Sequence, residues 1–476
     1  MRILLIPIIL LLISAHAPAQ SRRVPPGQTA RAAVATDRFN DLTVREMFDE
    51  ANTYNKTKFA EYETKKIPYN EALRKTTEKE RKQLAAKYAA AGKEREGLAG
   101  EDLYYLGLLH WIAENLDGTR SNLAKYLGSA KTDVDKSQMA RSVIAVAAAK
   151  TGDFETAERY LTQYRESEPI KLNELARMEV ELAKAYLEKK NAKDASVHAD
   201  LAFKTYLSML NDPQKRAGLL DEMLDAGMLA FEAHAAKGDI EPAESALLAM
   251  KIAAAKAGSP SFYYYAVDQL IKYRIETGRK PEAMQTHSEA ITAAAKDFVS
   301  QFHQTDVTKR LKKREVHYKL LGESAPELKN VDQWFPGVPQ TLTELRGKVV
   351  LLDFWATWCM PCIEAFPHLR EWQRDFANDG LVILGVTRYY GKAGGPTAAD
   401  RPKEIEFLKT FKDRHDLPYD IVVLKNQLDH LTYGATAIPT AVLIDRKGVI
   451  RYLESGTSPT RIEDLNNMIV RLLAEK

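Results

Sequence analysis

Cysteine is almost missing from this chain: 476 residues hold only Cys359 and Cys362. A zinc site is disfavoured, since zinc usually takes four protein ligands and there is no second cysteine pair. A structural staple is disfavoured as well, because the loop-entropy model assigns so short a ring about 2 kcal/mol, against about 4.7 kcal/mol for a 100-residue loop. Excess charge is missing too. Lys and Arg number 68 against 65 Asp and Glu, a net +3, so nothing points to nucleic acid. Long apolar runs are confined to Ile3–Leu12, shorter than the about 20 residues needed to span a bilayer. No cysteine follows that run, which rules out bacterial lipoprotein attachment. Strand-like runs are scarce between Phe39 and Tyr318.

What is present begins with Met1-Arg2, the apolar core and the small residues Ser14-Ala15-His16-Ala17-Pro18-Ala19 before Gln20. This pattern describes a secretory signal over residues 1–19, cut after Ala19, with an uncleaved anchor as the alternative. Residues 20–37, rich in Arg, Pro, Gly and Gln, read as a flexible tether. The expected location is therefore periplasmic or otherwise extracytoplasmic. An exported protein that used disulfides for stability would carry more than one adjacent cysteine pair, so the two cysteines are assigned to chemistry.

Residues 38–320 read as helical. Ala, Leu, Lys and Glu dominate, and turns are expected around Gly118, Gly152-Asp153, Asn191, Gly238-Asp239 and Gly278, roughly 34 to 47 residues apart. The stretch Gly152-Asp153-Phe154-Glu155-Thr156-Ala157-Glu158-Arg159-Tyr160-Leu161, with Pro169 beyond it, resembles a tetratricopeptide repeat. The region is expected to be a degenerate array of that kind, or else an irregular bundle, since isolated helix pairs cannot bury their apolar faces. Phe262-Tyr263-Tyr264-Tyr265 could line a peptide groove, though packing between helices is preferred. Lys309-Arg310-Leu311-Lys312-Lys313-Arg314 reads as a solvated helix end or linker, with the domain boundary at 320/321.

The chemistry sits in Phe354-Trp355-Ala356-Thr357-Trp358-Cys359-Met360-Pro361-Cys362, preceded by the strand-like Val349-Val350-Leu351-Leu352-Asp353 and followed by an amphipathic helix. A helix start leaves backbone N–H groups unpaired and carries partial positive charge, which favours a thiolate. Cys359, at that start, is the expected exposed nucleophile. Pro361 suits the first helical turn. Cys362, one turn deeper, is the expected resolving thiol. His368 could at most add one imidazole, and a solvated helix residue is the preferred reading.

From Gly322 onward the chain resembles the TlpA/ResA-type thiol-disulfide oxidoreductases of the thioredoxin superfamily, which are extracytoplasmic. The carriers are Gly322-Glu323-Ser324-Ala325-Pro326, the Trp358-Cys359-Met360-Pro361-Cys362 centre, Pro367 within the following helix, and Tyr433-Gly434-Ala435-Thr436-Ala437-Ile438-Pro439-Thr440. The resemblance implies a multidomain chain: an all-α, helical-repeat N-terminal domain, then a thioredoxin-like α/β domain over 321–476 with a central mixed sheet flanked by helices. It implies a redox-active Cys359–Cys362 pair and no cofactor or metal. It also implies a cis-proline turn at Ile438-Pro439 that offers backbone groups to an extended substrate segment. Trp358, Met360 and Pro361 complete the expected substrate surface. Asp353 matches the buried acid beneath the centre of thioredoxins, where it relays the proton of the resolving thiol. The alternatives are a strand-edge Asp353 in water and a Pro439 that merely starts a strand.

Two positions depart from the pattern. Ala365 stands where many family members have glutamate, and neighbouring Glu364 points roughly 100° away on a helix, so the acid role is given to Asp353. Gly385 stands where classical thioredoxins have a lysine near the acid. The Gly- and Pro-rich stretch Tyr389 to Arg401 is a loop that either borders the site or is plain surface. No Pro-x-x-x-Thr-x-x-Cys is present, which argues against a peroxidase. Expected partners are exported proteins with disulfides or thiols, a membrane-bound thiol donor that recharges the centre, and a peptide or protein on the helical domain. Reduction is the favoured direction, with an oxidant or isomerase of the same fold, or a helical scaffold with an accessory redox domain, as alternatives.

Overall fold

The computed structural model describes residues 41–211, 216–395 and 398–475. The expected signal over 1–19, its cleavage after Ala19 and the tether over 20–37 lie outside the described residues. Contacts divide the described chain into two units, meeting at Ala253/Ala254.

The first unit is built of helices joined by short turns: α1 (Val44–Thr64), α2 (Glu71–Lys93), α3 (Glu101–Ile112), α4 (Leu116–Leu127), α5 (Val134–Lys150), α6 (Phe154–Arg165), α7 (Leu172–Glu188), α8 (Ala192–Met209), α9 (Arg216–Lys237) and α10 (Ile240–Lys256), the last crossing the boundary. Side chains at the helix starts take up orphan N–H groups: Thr43 and Glu46 form a reciprocal capping box, and Asn115, Asp153 and Asn191 each accept from the helix they open. Gly152, Gly238 and Gly278 adopt positive φ in the expected turns. Gly118 does not mark a turn. It lies in the first turn of α4, where Asn115 caps its N–H, so the chain reverses three residues earlier than expected. Tyr88, Tyr104, Tyr126, Leu106 and Leu109 centre one core of this unit.

The second unit starts with α11 (Pro260–Glu276), α12 (Lys280–Asp297) and α13 (Gln301–Leu320). Tyr263 packs between helices, buried with its ring 5.2 Å from that of Phe298. There follow β1 (Val331–Phe335), β2 (Val349–Phe354), α14 (Met360–Phe376), β3 (Leu381–Arg388), α15 (Arg401–Arg414), β4 (Asp420–Leu424), α16 (Leu428–Thr432), β5 (Thr440–Ile444), β6 (Ile450–Ser455) and α17 (Pro459–Ala474). The six strands form one mixed sheet in the order β1-β4-β3-β2-β5-β6. The central trio is parallel, and β1, β5 and β6 run antiparallel to their neighbours.

Alternation along β2 sorts its side chains to two faces. Val349 and Leu351 join Cys359, Cys362, Phe366 and Leu369 in one core. Val350, Leu352 and Phe354 join the other, against which Ile275 of α11 and Leu320 of α13 pack. Both faces of β2 are buried, which explains its continuous apolar run. The contact boundary thus lies at 253/254 rather than at 320/321, because α11 and α13 cover a sheet face. The basic stretch 309–314 is neither linker nor wholly solvated. It lies inside α13, and Arg314 is buried between the carboxylates of Asp268 and Glu454.

Candidate active site

β2 ends at Phe354, and five residues later Cys359 takes the N-cap position of α14. Pro361 follows in the first turn, where its missing N–H leaves no donor unpaired. The Cys362 N–H points at the Cys359 sulfur, 3.2 Å away, so the helix start presents one amide to that atom. The two sulfurs are joined in a disulfide. Cys359 is less open than expected. It is 5% exposed and Cys362 fully buried, because both belong to the core cluster against which Ile438 packs. Exposure belongs instead to the flanking Trp358 (53%) and Met360 (63%).

Asp353 occupies the face of β2 that carries Val349 and Leu351, hence the face of the two cysteines. It is buried, and burial alone pushes its carboxyl up to about 7. Among the described residues, its Oδ2 has no hydrogen-bond partner, nor do Trp355 Nε1 and the Tyr419 hydroxyl nearby. Gly385 is its register partner on β3. A Cβ there would sit 3.0 Å from Trp355 Nε1 and 3.1 Å from Tyr419 Cε2, so these rings fill the room beside the acid. Trp355 and Tyr419 escaped sequence reading. Tyr419 reaches the site by folding from just before β4, and no local pattern announces that.

The Ile438–Pro439 bond is cis. The Pro439 carbonyl accepts from the Gly456 N–H at 2.6 Å, and the Thr440 hydroxyl donates to the Ala437 carbonyl at 2.6 Å. Among the described residues, the Ile438 N–H and C=O enter no backbone hydrogen bond.

The loop after β3 borders this site. Tyr390 meets Trp358 edge to face, ring centres 5.3 Å apart, and Lys392 lies 5.7 Å above the Trp358 ring. The buried Glu404 carboxylate accepts the N–H groups of Tyr390 and Gly391, at 2.7 and 2.9 Å, and fastens the loop at its base. Glu364 faces outward from α14. With His368, which is half-buried beside Trp372, it lines an open cleft of about 680 Å³ against α17.

Residues 320–469 match the Redoxin family. Over 138 residues the chain is 32% identical to the thioredoxin-like protein YneN of Bacillus subtilis (strain 168), covering 29% of this chain and 72% of that one. Over 137 residues it is 31% identical to the thiol-disulfide oxidoreductase ResA of Geobacillus thermodenitrificans (strain NG80-2), covering 29% and 70%. Among solved structures, a thiol-disulfide isomerase from Corynebacterium glutamicum is 23% identical, with 32% of this chain and 98% of that one covered and a TM-score of 0.27.

Proposed function

This chain belongs, through residues 320–469, to the redoxin family of thioredoxin-like thiol-disulfide oxidoreductases, and on that premise we propose that it is an exported enzyme that reduces protein disulfides. The observation that carries the reading is the Cys359 sulfur at the start of α14, facing the Cys362 N–H. An amide aimed at that sulfur favours its thiolate, which is the attacking form, and makes it the better leaving group.

The Cys359 thiolate attacks one sulfur of a substrate disulfide. A mixed disulfide forms and the other substrate sulfur leaves as a thiolate. The Cys362 thiolate then attacks Cys359, forming the Cys359–Cys362 disulfide and releasing the second substrate thiol, so two electrons pass to the substrate. Asp353, with a pKa near 7, takes the proton from the Cys362 thiol. The open backbone of Ile438 beside cis Pro439 supports binding of an extended segment by strand addition, with Trp358, Met360 and Pro361 as its surface. A thiol donor, membrane-bound as the family resemblance implies, restores the dithiol.

Export rests on the signal-like residues 1–19. The test is capture in intact cells: Cys362→Ala should accumulate mixed disulfides with exported proteins, and Cys359→Ala should not. Equal yields from the two variants would refute the mechanism, and capture of internal proteins alone would refute export.

A further inference from the structure

The turn that carries Ile438 and Pro439 is gripped from outside the family-matched segment. His317 of α13 precedes residue 320, where that match begins. Its Nε2 lies 3.0 Å from the Gly434 carbonyl, which can only accept, so Nε2 carries the hydrogen. Its Nδ1 lies 2.7 Å from Arg314 Nη1 and must accept. The ring is therefore neutral. Burial, and then the adjacent Arg314 charge, hold its pKa down at about 4.

Arg314 is fixed in turn. Its Nε donates to Asp268 Oδ1 at 3.3 Å and its Nη2 to Glu454 Oε1 at 2.8 Å. Lys272 bridges the same two carboxylates, and the Tyr318 hydroxyl donates to Asp268 at 2.6 Å. Burial works to raise the Asp268 and Glu454 carboxyls, but Lys272 and Arg314 outweigh it and hold both below the usual carboxylate range. Apolar packing would attach a helix to a sheet as strongly as buried ion pairs do; what a cluster of this kind adds is a defined register.

Register here reaches the turn at both ends. Next to Glu454, Ser455 Oγ meets Thr440 Oγ1 at 2.7 Å, and Gly456 holds the Pro439 carbonyl. At the near end Gly434 has φ +64°, and a Cβ there would stand 2.7 Å from His317 Cδ2, so the backbone and the imidazole are in close contact.

We propose that His317 and Arg314 are positioning residues for substrate recognition: through Gly434 and Glu454 they hold the 433–440 turn so that the Ile438 backbone meets an extended protein segment. The proposal rests on the reading that this turn receives the substrate. It gives α11 and α13 a part in catalysis that a thioredoxin-like domain cut at residue 320 would lack.

The test is kinetics on the full chain: steady-state reduction of insulin, the protein disulfide, with dithiothreitol as donor, and reaction of the pre-reduced chain, freed of dithiothreitol, with 5,5′-dithiobis(2-nitrobenzoate), a small disulfide with no backbone to add. His317→Leu should raise KM for insulin about tenfold, with kcat, the small-disulfide rate and the potential of the cysteine pair unchanged. His317→Gln, whose amide can accept from Arg314 and donate to Gly434, should restore KM. Ser455→Ala, which loosens the far end, should raise KM about threefold and reads the proposal even if His317→Leu fails to fold. Unchanged KM in His317→Leu and Ser455→Ala overturns the proposal. So does a parallel change in KM, kcat and potential that Gln does not rescue, since that is the mark of a structural role. Should the wild-type chain fail to reduce insulin, or Cys359→Ala reduce it as well, the functional reading itself falls.

Discussion

Asp353 is an acid with its charge in the wrong place for stability. Its carboxyl titrates at about 7 because burial disfavours the anion, whereas an unfolded aspartate titrates at about 3.9. Between those values the folded state binds the extra proton. Its contribution is fully present below about pH 4 and is lost as pH rises through 7. Asp353→Asn should therefore stabilise the oxidised protein at pH 8 by up to about 4 kcal/mol and flatten the slope between pH 4 and 7, as read by urea unfolding. An unchanged slope would mean that the carboxyl is solvated. The same variant should slow release of the mixed disulfide, since no other acid is buried on that face of β2. The sequence marked Asp353 by its interruption of an apolar run, but the unpartnered Trp355 and Tyr419 beside it come from packing.

Elements place the reactive residues with different degrees of local control. The start of α14 is a local event, because strand, proline and helix follow one another in the chain. The loop after β3 is not. Its contact with Trp358 depends on Glu404 of α15, which lies across the loop and accepts two backbone N–H groups. Glu404→Ala leaves both donors without that acceptor in a largely buried site, at a cost of about 1–3 kcal/mol. It should also release Tyr390 from Trp358, seen as a change in tryptophan emission and a faster small-disulfide reaction. Emission and rate like those of the wild type would show that the loop holds without Glu404.

At the scale of the molecule, the unit over 254–476 predicts how the protein can be cut. A chain starting at 321 loses Arg314 and Lys272, and leaves Glu454 with neither of the cations that pair with it. Removing one side of a buried pair costs about 3–5 kcal/mol, and the apolar face around Leu352 and Phe354 loses Ile275 and Leu320 besides. The 321–476 fragment should unfold at a lower urea concentration than 254–476. Equal midpoints would show that α11 to α13 contribute nothing to the sheet domain.

The sequence by itself determined the helical first half, the strand-to-helix site of Cys359 and Cys362, the acid on the cysteine side of β2 and the proline turn at 438–439. The helices, the strand and the helix start are written in neighbouring residues, through periodicity and capping, whereas the turn at 438–439 was legible only through its resemblance to the proline turn of the family. Only the tertiary structure decided that Cys359 is nearly covered, that Tyr419 lies beside Asp353, and that Arg314, in what looked like a solvated basic run, meets Glu454 at a separation of 140 residues. A short-range pattern cannot encode such meetings: a buried charge and an exposed one are spelled by the same residue, and only the partner that arrives from far along the chain distinguishes them.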